Sequence, residues 1–455
     1  MIKKTLCLNM IVKNESHIIE KTLKMLTETL DFSYWVISDT GSTDNTKEII
    51  KTFFKNLNIP GELVEHEWRD FGYNRTKALE SGYNKTDYLF IFDADDWIYG
   101  KLVLPELNAD MYNLKFGNKF IYKRPLLVNN RLKWKFVGVL HEYIACNELK
   151  TQQDIKGEYY IDSGKTGARS QDPQKYIKDA LVLENAHKDE TDQGLKCRYA
   201  FYCAQSYMDA NMPEKSIEWY KKVVEGNNWN QEKYYSCLMM ANMYFKIDKN
   251  EEAILYLSKG DEFDMQRIEH VHRMMDYYYK KNIHLFVNLI YEKYKNYKDK
   301  PINYSEKLFL SMDDYNYKIE YLNSISAYYT KNFKSGYHSS KIIINSNDAP
   351  EYITKSTMLN FNFYKGLIES DTIENIQELF KNFNKKMCHD FSENNCNMSW
   401  NNLYNKINFT NYNSNAISKI KNKQTPKILL SMTTCKRFDL FEKTINSIFN
   451  QWEDY

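Results

Sequence analysis

The first hundred residues switch repeatedly between two apolar patterns, and no other feature limits the fold as strongly. "KTLCLNMIV" is a short apolar run of strand character, whereas "SHIIEKTLKMLTETL" spaces its apolar residues along one helix face. "YWVISDT" reads as strand, "STDNTKEIIKTFFKNL" as helix, "GELVEHEW" as strand, "GYNRTKALESGY" as helix and "DYLFIFD" as strand. This β-α-β-α-β-α-β order implies an α/β domain with a mostly parallel sheet and right-handed crossovers. Such sheets bind ligands beyond the carboxyl ends of their strands. Three of those ends, "VKNE", "SDTGS" and "DADD", are polar, so three strands aim polar groups at one edge.

Shorter strands follow from about 110 to 163 ("MYNLKFG", "KFIYKRPLLVNN", "LKWKFVGVLHEYI"), predicting a mixed or antiparallel extension of the sheet. From about 170 the spacing is helical. "AQSYMDANMPEKSIEWYKKVVE" returns 37 positions on as "ANMYFKIDKNEEAILYLSKGDE", with Ala204, Tyr207 and Ile217 over Ala241, Tyr244 and Ile254. Paired helices at about this period resemble tetratricopeptide repeats, and such pairs bury their apolar faces by stacking on neighbours. Helical spacing continues to about 385. Residues 389–425 are polar and Asn-rich and read as a linker or loose helical end. "KILLSMTTCKRFDLFEKTINSI" (427–448) aligns with the first strand and helix, Met432 falling on Met10. One β-α unit cannot bury a core alone, so this is either part of a longer protein or a remnant packed on the rest.

Composition narrows the functional classes. The 455 residues are 43% hydrophobic and 27% charged, an ordinary soluble balance. A formal net charge of +2 supplies no general pull toward nucleic acid or a membrane surface. The eight cysteines show no CxxC or zinc spacing and fit free thiols in a reducing, cytoplasmic compartment. The amino-terminal run is too short and too polar for a signal peptide, and no apolar stretch approaches the roughly 20 residues of a membrane span.

The chemistry concentrates in "FIFDADDWIY" (90–99). An apolar run ends in Asp93, Asp95 and Asp96, whose carboxylates repel one another unless cations meet them. Alternation along an extended segment puts Asp93 and Asp95 on one side, where hard oxygens suit Mg²⁺ or Mn²⁺ and, through it, a diphosphate. The plainer alternative is one helix-capping and one solvated aspartate. In "SDTGSTDNT", Asp39 is placed to accept a hydrogen bond from a base or ribose, Gly41 allows a tight turn, and Ser42, Thr43 or Asp44 can cap the next helix. "SGKTG" (163–167) is not a phosphate loop, because Tyr159 stands where its first glycine is needed. His270 and His272, two apart in a helical stretch, do not share a face and make no metal pair.

"MIVKNE", "SDTGSTDNT", "DFGYNRTKAL" and "FDADDW", in this order and spacing, resemble the family 2 glycosyltransferases of GT-A (Rossmann-like) fold. "WKFVGVLHEYI" followed by helical repeats resembles members with a tetratricopeptide-like region behind the catalytic domain. The resemblance implies inverting transfer from a nucleotide-diphosphate sugar, assisted by Mn²⁺ or Mg²⁺, to a protein, glycan or lipid acceptor. It implies that Asp39 contacts the nucleobase and that Asn14 and Glu15 line the nucleotide pocket. Arg75 would face the diphosphate or brace the acidic loop. Asp93 would touch ribose or metal, and Asp95 would be the principal metal ligand. An inverting displacement also needs a general base. Glu142 is the first candidate, with His141 as a metal or phosphate contact, although strand neighbours point to opposite faces. Asp96 is the alternative: a base, a ligand or a turn residue. Where many relatives carry His-x-Gly, this chain has Asp162-Ser163-Gly164.

The expected organisation is a transferase domain over 1–168, tetratricopeptide-like helices over 169–388 that position an acceptor or partner, a linker over 389–425, and an incomplete second copy over 426–455. Two other functions fit less well. A nucleotidyltransferase normally has a Gly-rich loop after its first strand, which "MIVKNESH" lacks. A repeat adaptor with a decayed transferase domain does not account for intact Asp39, Arg75, Asp93 and Asp95.

Overall fold

The computed structural model describes residues 3–118, 122–164, 166–298, 306–368, 371 and 378–379. The stretches expected as a linker and a second copy, 389–425 and 426–455, lie outside them. The α/β part contains β1 (Leu6–Val12), α1 (Ile19–Thr29), β2 (Tyr34–Asp39), α2 (Thr46–Asn56), β3 (Gly61–Glu65), α3 (Phe71–Gly82) and β4 (Tyr88–Ile91). β5 (Trp97–Gly100), β6 (Met111–Phe116), β7 (Tyr122–Asn129), β8 (Lys135–Val137), β9 (Tyr143–Ala145), β10 (Gln152–Asp154) and β11 (Tyr159–Asp162) follow.

The sheet order is β3-β2-β1-β4-β7-β6-β11-β5, with β10 also on β6 and β8-β9 as a separate ribbon. β1 to β4 pair in parallel, while β7 lies antiparallel between β4 and β6. This is the expected mostly parallel sheet, and its extension is mixed: β10 and β11 pair in parallel with β6, and β5 antiparallel with β11. β1 is almost wholly buried, because helices cover both faces of a parallel sheet. α1 buries Ile19, Leu23 and Leu26 on one stripe. α2 turns Phe54 onto Trp35, with ring centroids 4.6 Å apart and nearly parallel. α3 begins at Asp70, whose carboxylate accepts from Tyr73 N–H at 2.7 Å, a cap worth about 1 kcal/mol. α3 buries Asn74 and Arg75 with its apolar residues, so this helix carries polar groups inward.

A helical part follows: α4 (Lys175–Asp189), α5 (Gln193–Asp209), α6 (Pro213–Glu225), α7 (Asn230–Lys246), α8 (Asn250–Phe263), α9 (Glu269–Lys280), α10 (His284–Lys298), α11 (Ile319–Tyr329), α12 (Phe333–Asn345) and α13 (Glu351–Phe361). Each helix packs on the next in sequence. The two matched segments fall on α5–α6 and α7–α8, with Ala204, Tyr207, Ala241 and Tyr244 buried at corresponding positions. Pro213 opens α6 at its first turn, where a missing N–H costs nothing. His270 and His272 part as their spacing requires, His270 toward Asp261 and His272 toward Asp314. Among the described residues no helix is long and apolar enough to cross a membrane.

Candidate active site

The acidic run is a turn, not the end of a strand. β4 stops at Ile91, Asp96 N–H closes back on the Asp93 carbonyl at 3.3 Å, and β5 starts at Trp97. Alternation therefore does not orient Asp93 and Asp95; the turn does. α1 steadies it, Thr22 Oγ1 donating to the Ala94 carbonyl at 2.6 Å. Trp97 is partly exposed and pairs across β5–β11 with Asp162.

Two arginines meet the carboxylates. Arg75, from α3, places Nη2 2.6 Å from Asp93 Oδ1 and Nε 2.7 Å from Glu142 Oε1. Arg124, from β7, lies 3.3 Å from Asp93 Oδ2 and 3.7 Å from Asp96 Oδ2, with its guanidinium over the Phe116 ring. Arg75 is only 9% exposed, so its charge acts at close quarters. Burial pushes Asp93 upward, but the two guanidinium charges outweigh it and hold the carboxyl at about 2. Asp96, buried and facing the Asp93 charge, is pushed up to about 7. Asp95 is raised by burial and by Asp93. Glu15 is raised to about 7, by burial first and then by the charges of Asp95 and Asp44.

The segment after β11 closes over these carboxylates. Gly164 N–H faces Asp96 Oδ1 at 3.3 Å, Gly167 N–H faces Asp95 Oδ2 at 3.2 Å, and Ala168 N–H lies 3.3 Å from both Glu15 oxygens. His17 Nε2 meets the Thr166 carbonyl at 2.7 Å. A Cβ on Gly164 would stand 1.7 Å from the Asp95 carbonyl oxygen, so only glycine permits this approach. "SGKTG" thus offers backbone N–H groups, as a phosphate loop does, but to the protein's own carboxylates.

The remaining expected residues spread around this centre. Asp39 is fully buried; its Oδ1 accepts from Gly41 N–H at 2.9 Å and Ser42 N–H at 2.8 Å. Its Oδ2 is buried with no hydrogen-bond partner among the described residues. Asn14 has φ +57°, and its Oδ1 accepts from Thr43 N–H at 2.8 Å, tying the ends of β1 and β2 together. His141 and Glu142 lie in the β8–β9 turn rather than on a strand, and His141 has φ +54°. The strand-alternation limit therefore does not apply to them. Glu142 turns to Arg75, whereas the His141 ring stacks on Tyr202 of α5, centroids 4.0 Å apart and planes within 7°. Desolvation, then the charges of Arg198, Arg169, Lys175 and Arg124, keep His141 far below the usual imidazole range, at about 3. Asp162 is exposed at the end of β11.

Asp95 and Glu15 suit a divalent cation. Both carboxyls are raised by burial and by neighbouring negative charge, which is the excess a hard cation relieves. Among the described residues no three His, Cys, Asp or Glu side chains gather at metal-ligand spacing. Mg²⁺ takes only one or two protein carboxylates and completes its shell with phosphate and water, so this donor set fits a cation that arrives with a diphosphate. Sequence reading missed Arg124, and it set "SGKTG", with Gly164 and Gly167, aside as a false phosphate loop without linking it to the carboxylates. The surplus of negative charge at 93–96 signalled a second cation, but not which one.

Residues 7–124, which contain β1 to β4, the acidic turn and Arg124, match the model of glycosyl transferase family 2. Among individual proteins, glycosyltransferase SunS of Bacillus phage SPbeta is 36% identical over 98 residues, 21% of this chain and 21% of SunS. Regulatory protein RapK of Bacillus subtilis (strain 168) is 24% identical over 221 residues, 46% of this chain and 56% of RapK. The chain thus spans about half or less of the length of these curated relatives. Among solved structures, S. aureus TarS 1–349 in complex with UDP is 12% identical, with a TM-score of 0.31 over 57% of this chain and 91% of that one.

Proposed function

We propose that this chain is a glycosyltransferase that moves a sugar from a nucleotide-diphosphate sugar to an acceptor hydroxyl with inversion. The observation that carries the reading is the acidic turn 93–96, braced by Arg75 and Arg124 beside a parallel sheet, within a segment that matches the family 2 model. The name of the partial relative SunS points the same way.

Each side chain has a part in this reading. The unpartnered Asp39 Oδ2 accepts from the nucleobase. Asn14 shapes the pocket rim through Thr43. Asp95, with Glu15 and Asp93 near it, would hold Mn²⁺ or Mg²⁺, which as a Lewis acid would supply several kcal/mol of stabilisation to a diphosphate leaving group. Arg75 and Arg124 keep Asp93 ionised and the turn in place. Glu142 takes the acceptor proton, and Asp96, raised to about 7, is the alternative base. His141, stacked and neutral, shapes the acceptor side rather than holding the metal. The helical part positions an acceptor or a protein partner, in keeping with its stacked pairs.

A panel of nucleotide-sugars with and without Mn²⁺, read by thermal shift and slow donor hydrolysis, tests the reading. Cation-dependent stabilisation by one donor class is expected. Binding to none would overturn it, and a preference for nucleoside triphosphates with pyrophosphate release would favour a nucleotidyltransferase.

A further inference from the structure

We infer that α5 is part of the transfer site: Arg198 is a positioning residue that sets the Gly138–Glu142 turn and, through it, the Glu142–Arg75 pair. This rests on reading Glu142 as a member of the transfer machinery.

The turn that presents Glu142 has little structure of its own. It joins two three-residue strands and includes a non-glycine residue, His141, at φ +54°. For a residue with a Cβ, this conformation costs on the order of 1 kcal/mol and persists only where surroundings hold it. The holding groups come mainly from α5. Arg198 Nε donates to the His141 carbonyl at 2.8 Å. Its guanidinium also lies over the rings of Tyr143, which follows Glu142, and Tyr202, on which His141 stacks. Tyr199 Oη accepts from Val139 N–H at 3.1 Å. Leu140 is buried in the apolar core of the helical part.

The other side of the turn presses on the helix that carries Arg75. The Val139 carbonyl accepts from Phe71 N–H at 3.1 Å, and a Cβ on Gly72 would stand 2.3 Å from the Gly138 carbonyl oxygen. The turn is therefore clamped between α3 and α5. Glu142 is the residue whose carboxylate must reach Arg75 Nε, and the His141 carbonyl immediately before it is the atom that Arg198 grips. A carboxylate displaced by about 1 Å costs a reaction about a hundredfold. The helical part thus acts on the chemistry directly, beyond any role in binding an acceptor.

The test compares Arg198→Ala, Arg198→Lys and Arg273→Ala in the full chain. Arg273 sits on α9 with its own contacts to Asn242, the Glu269 carbonyl and Asp314, away from the turn, so its loss registers general destabilisation of the helical part. Donor hydrolysis is measured as kcat and KM, and hydrogen exchange is followed at residues 139–143. Arg198→Ala is expected to lower kcat by about tenfold to a hundredfold, to leave donor KM within about twofold of the unsubstituted protein, and to speed exchange in the turn. Arg198→Lys, which keeps one donor, should recover part of each effect, and Arg273→Ala should match the unsubstituted protein in both. Unchanged exchange in Arg198→Ala overturns the inference, and so does faster exchange with unchanged kcat. A loss shared equally by Arg273→Ala also overturns it, since that is general destabilisation. If the unsubstituted protein turns over no donor, the function reading fails, and with it the catalytic part of this inference; the exchange arm still decides whether Arg198 holds the turn.

Discussion

Arg75 Nη2 lies 2.6 Å from Asp93 Oδ1, and the same guanidinium is buried with only one-tenth of its side-chain surface exposed. Arg75 thus answers the acidic turn from α3, as Arg124 does from β7, and its Nε meets Glu142 on the other side.

Removing that cation should cost more than losing a surface pair. Arg75→Ala leaves the little-exposed Glu142 carboxylate without its cation and Asp93 with Arg124 alone, a loss of about 3–5 kcal/mol. Denaturant unfolding of the full chain measures it. Arg75→Lys keeps the charge but not the fork that reaches both acids, so it should fall between. A change of no more than about 0.5 kcal/mol, the range of ordinary surface substitutions, would contradict the brace.

Asp95→Asn should separate stability from function. The substitution removes one member of a mutually repelling group, so without divalent cation the melting temperature should hold or rise. The melting-temperature gain from Mn²⁺ plus donor should vanish. Turnover should fall by about a hundredfold or more if the cation supplies several kcal/mol. A variant that keeps both the Mn²⁺ shift and turnover would remove Asp95 from the metal site.

Gly167→Ala probes the covering segment. Its Cβ would stand 2.9 Å from Asp95 Oδ2 and 3.3 Å from Glu15 Oε1. The carboxylates or the segment must then shift, parting the Gly167 and Ala168 N–H groups from Asp95 and Glu15. Donor hydrolysis is expected to drop about tenfold, roughly the loss of one hydrogen bond to a charged group, with the far-UV circular dichroism unchanged. Gly366→Ala, where a Cβ meets nothing within 4 Å, is the matched control.

Acid should loosen the helical part through Asp314. This buried carboxylate faces His272 at 3.0 Å, Lys318 at 3.1 Å and Arg273 at 3.8 Å, and these partners hold its pKa below the ordinary 3.8 against the opposing push of burial. A depressed folded-state pKa gives stability that is present above the unfolded value and lost as pH falls through the folded one. Asp314→Asn should therefore be less stable than the parent at pH 6, by about 1–3 kcal/mol. The gap should narrow as pH drops below about 3.8. Urea midpoints across that range measure it, and a constant gap would exclude the ionised pairing.

Much of the fold could be read along the chain. Ile19, Leu23 and Leu26 mark α1 by spacing alone, and the buried run of β1 marks a central parallel strand. Ala204 and Tyr207 over Ala241 and Tyr244 located two equivalent helix pairs. The site was legible only in part. Asp93 and Asp95 were found as a pair, but strand alternation was the wrong reason, since β4 ends two residues before Asp93. His141 and Glu142 were expected on a strand and lie in a turn, which frees them to diverge toward Tyr202 and Arg75.

What the sequence determined by itself is local: the alternation of periods 2 and 3.6, the order of elements, the repeat, and a cluster of acids calling for cations. Each element and each acid cluster depends on residues within a turn or two of each other, where spacing fixes geometry, and the repeat is the same local pattern met again 37 positions on. Tertiary structure decided which cations answered, that the Gly167 N–H, 72 residues along the chain, faces Asp95, and that Arg198 grips a carbonyl 57 residues before it. Such contacts depend on how packed layers bring distant backbone within about 3 Å, and no local pattern encodes that distance.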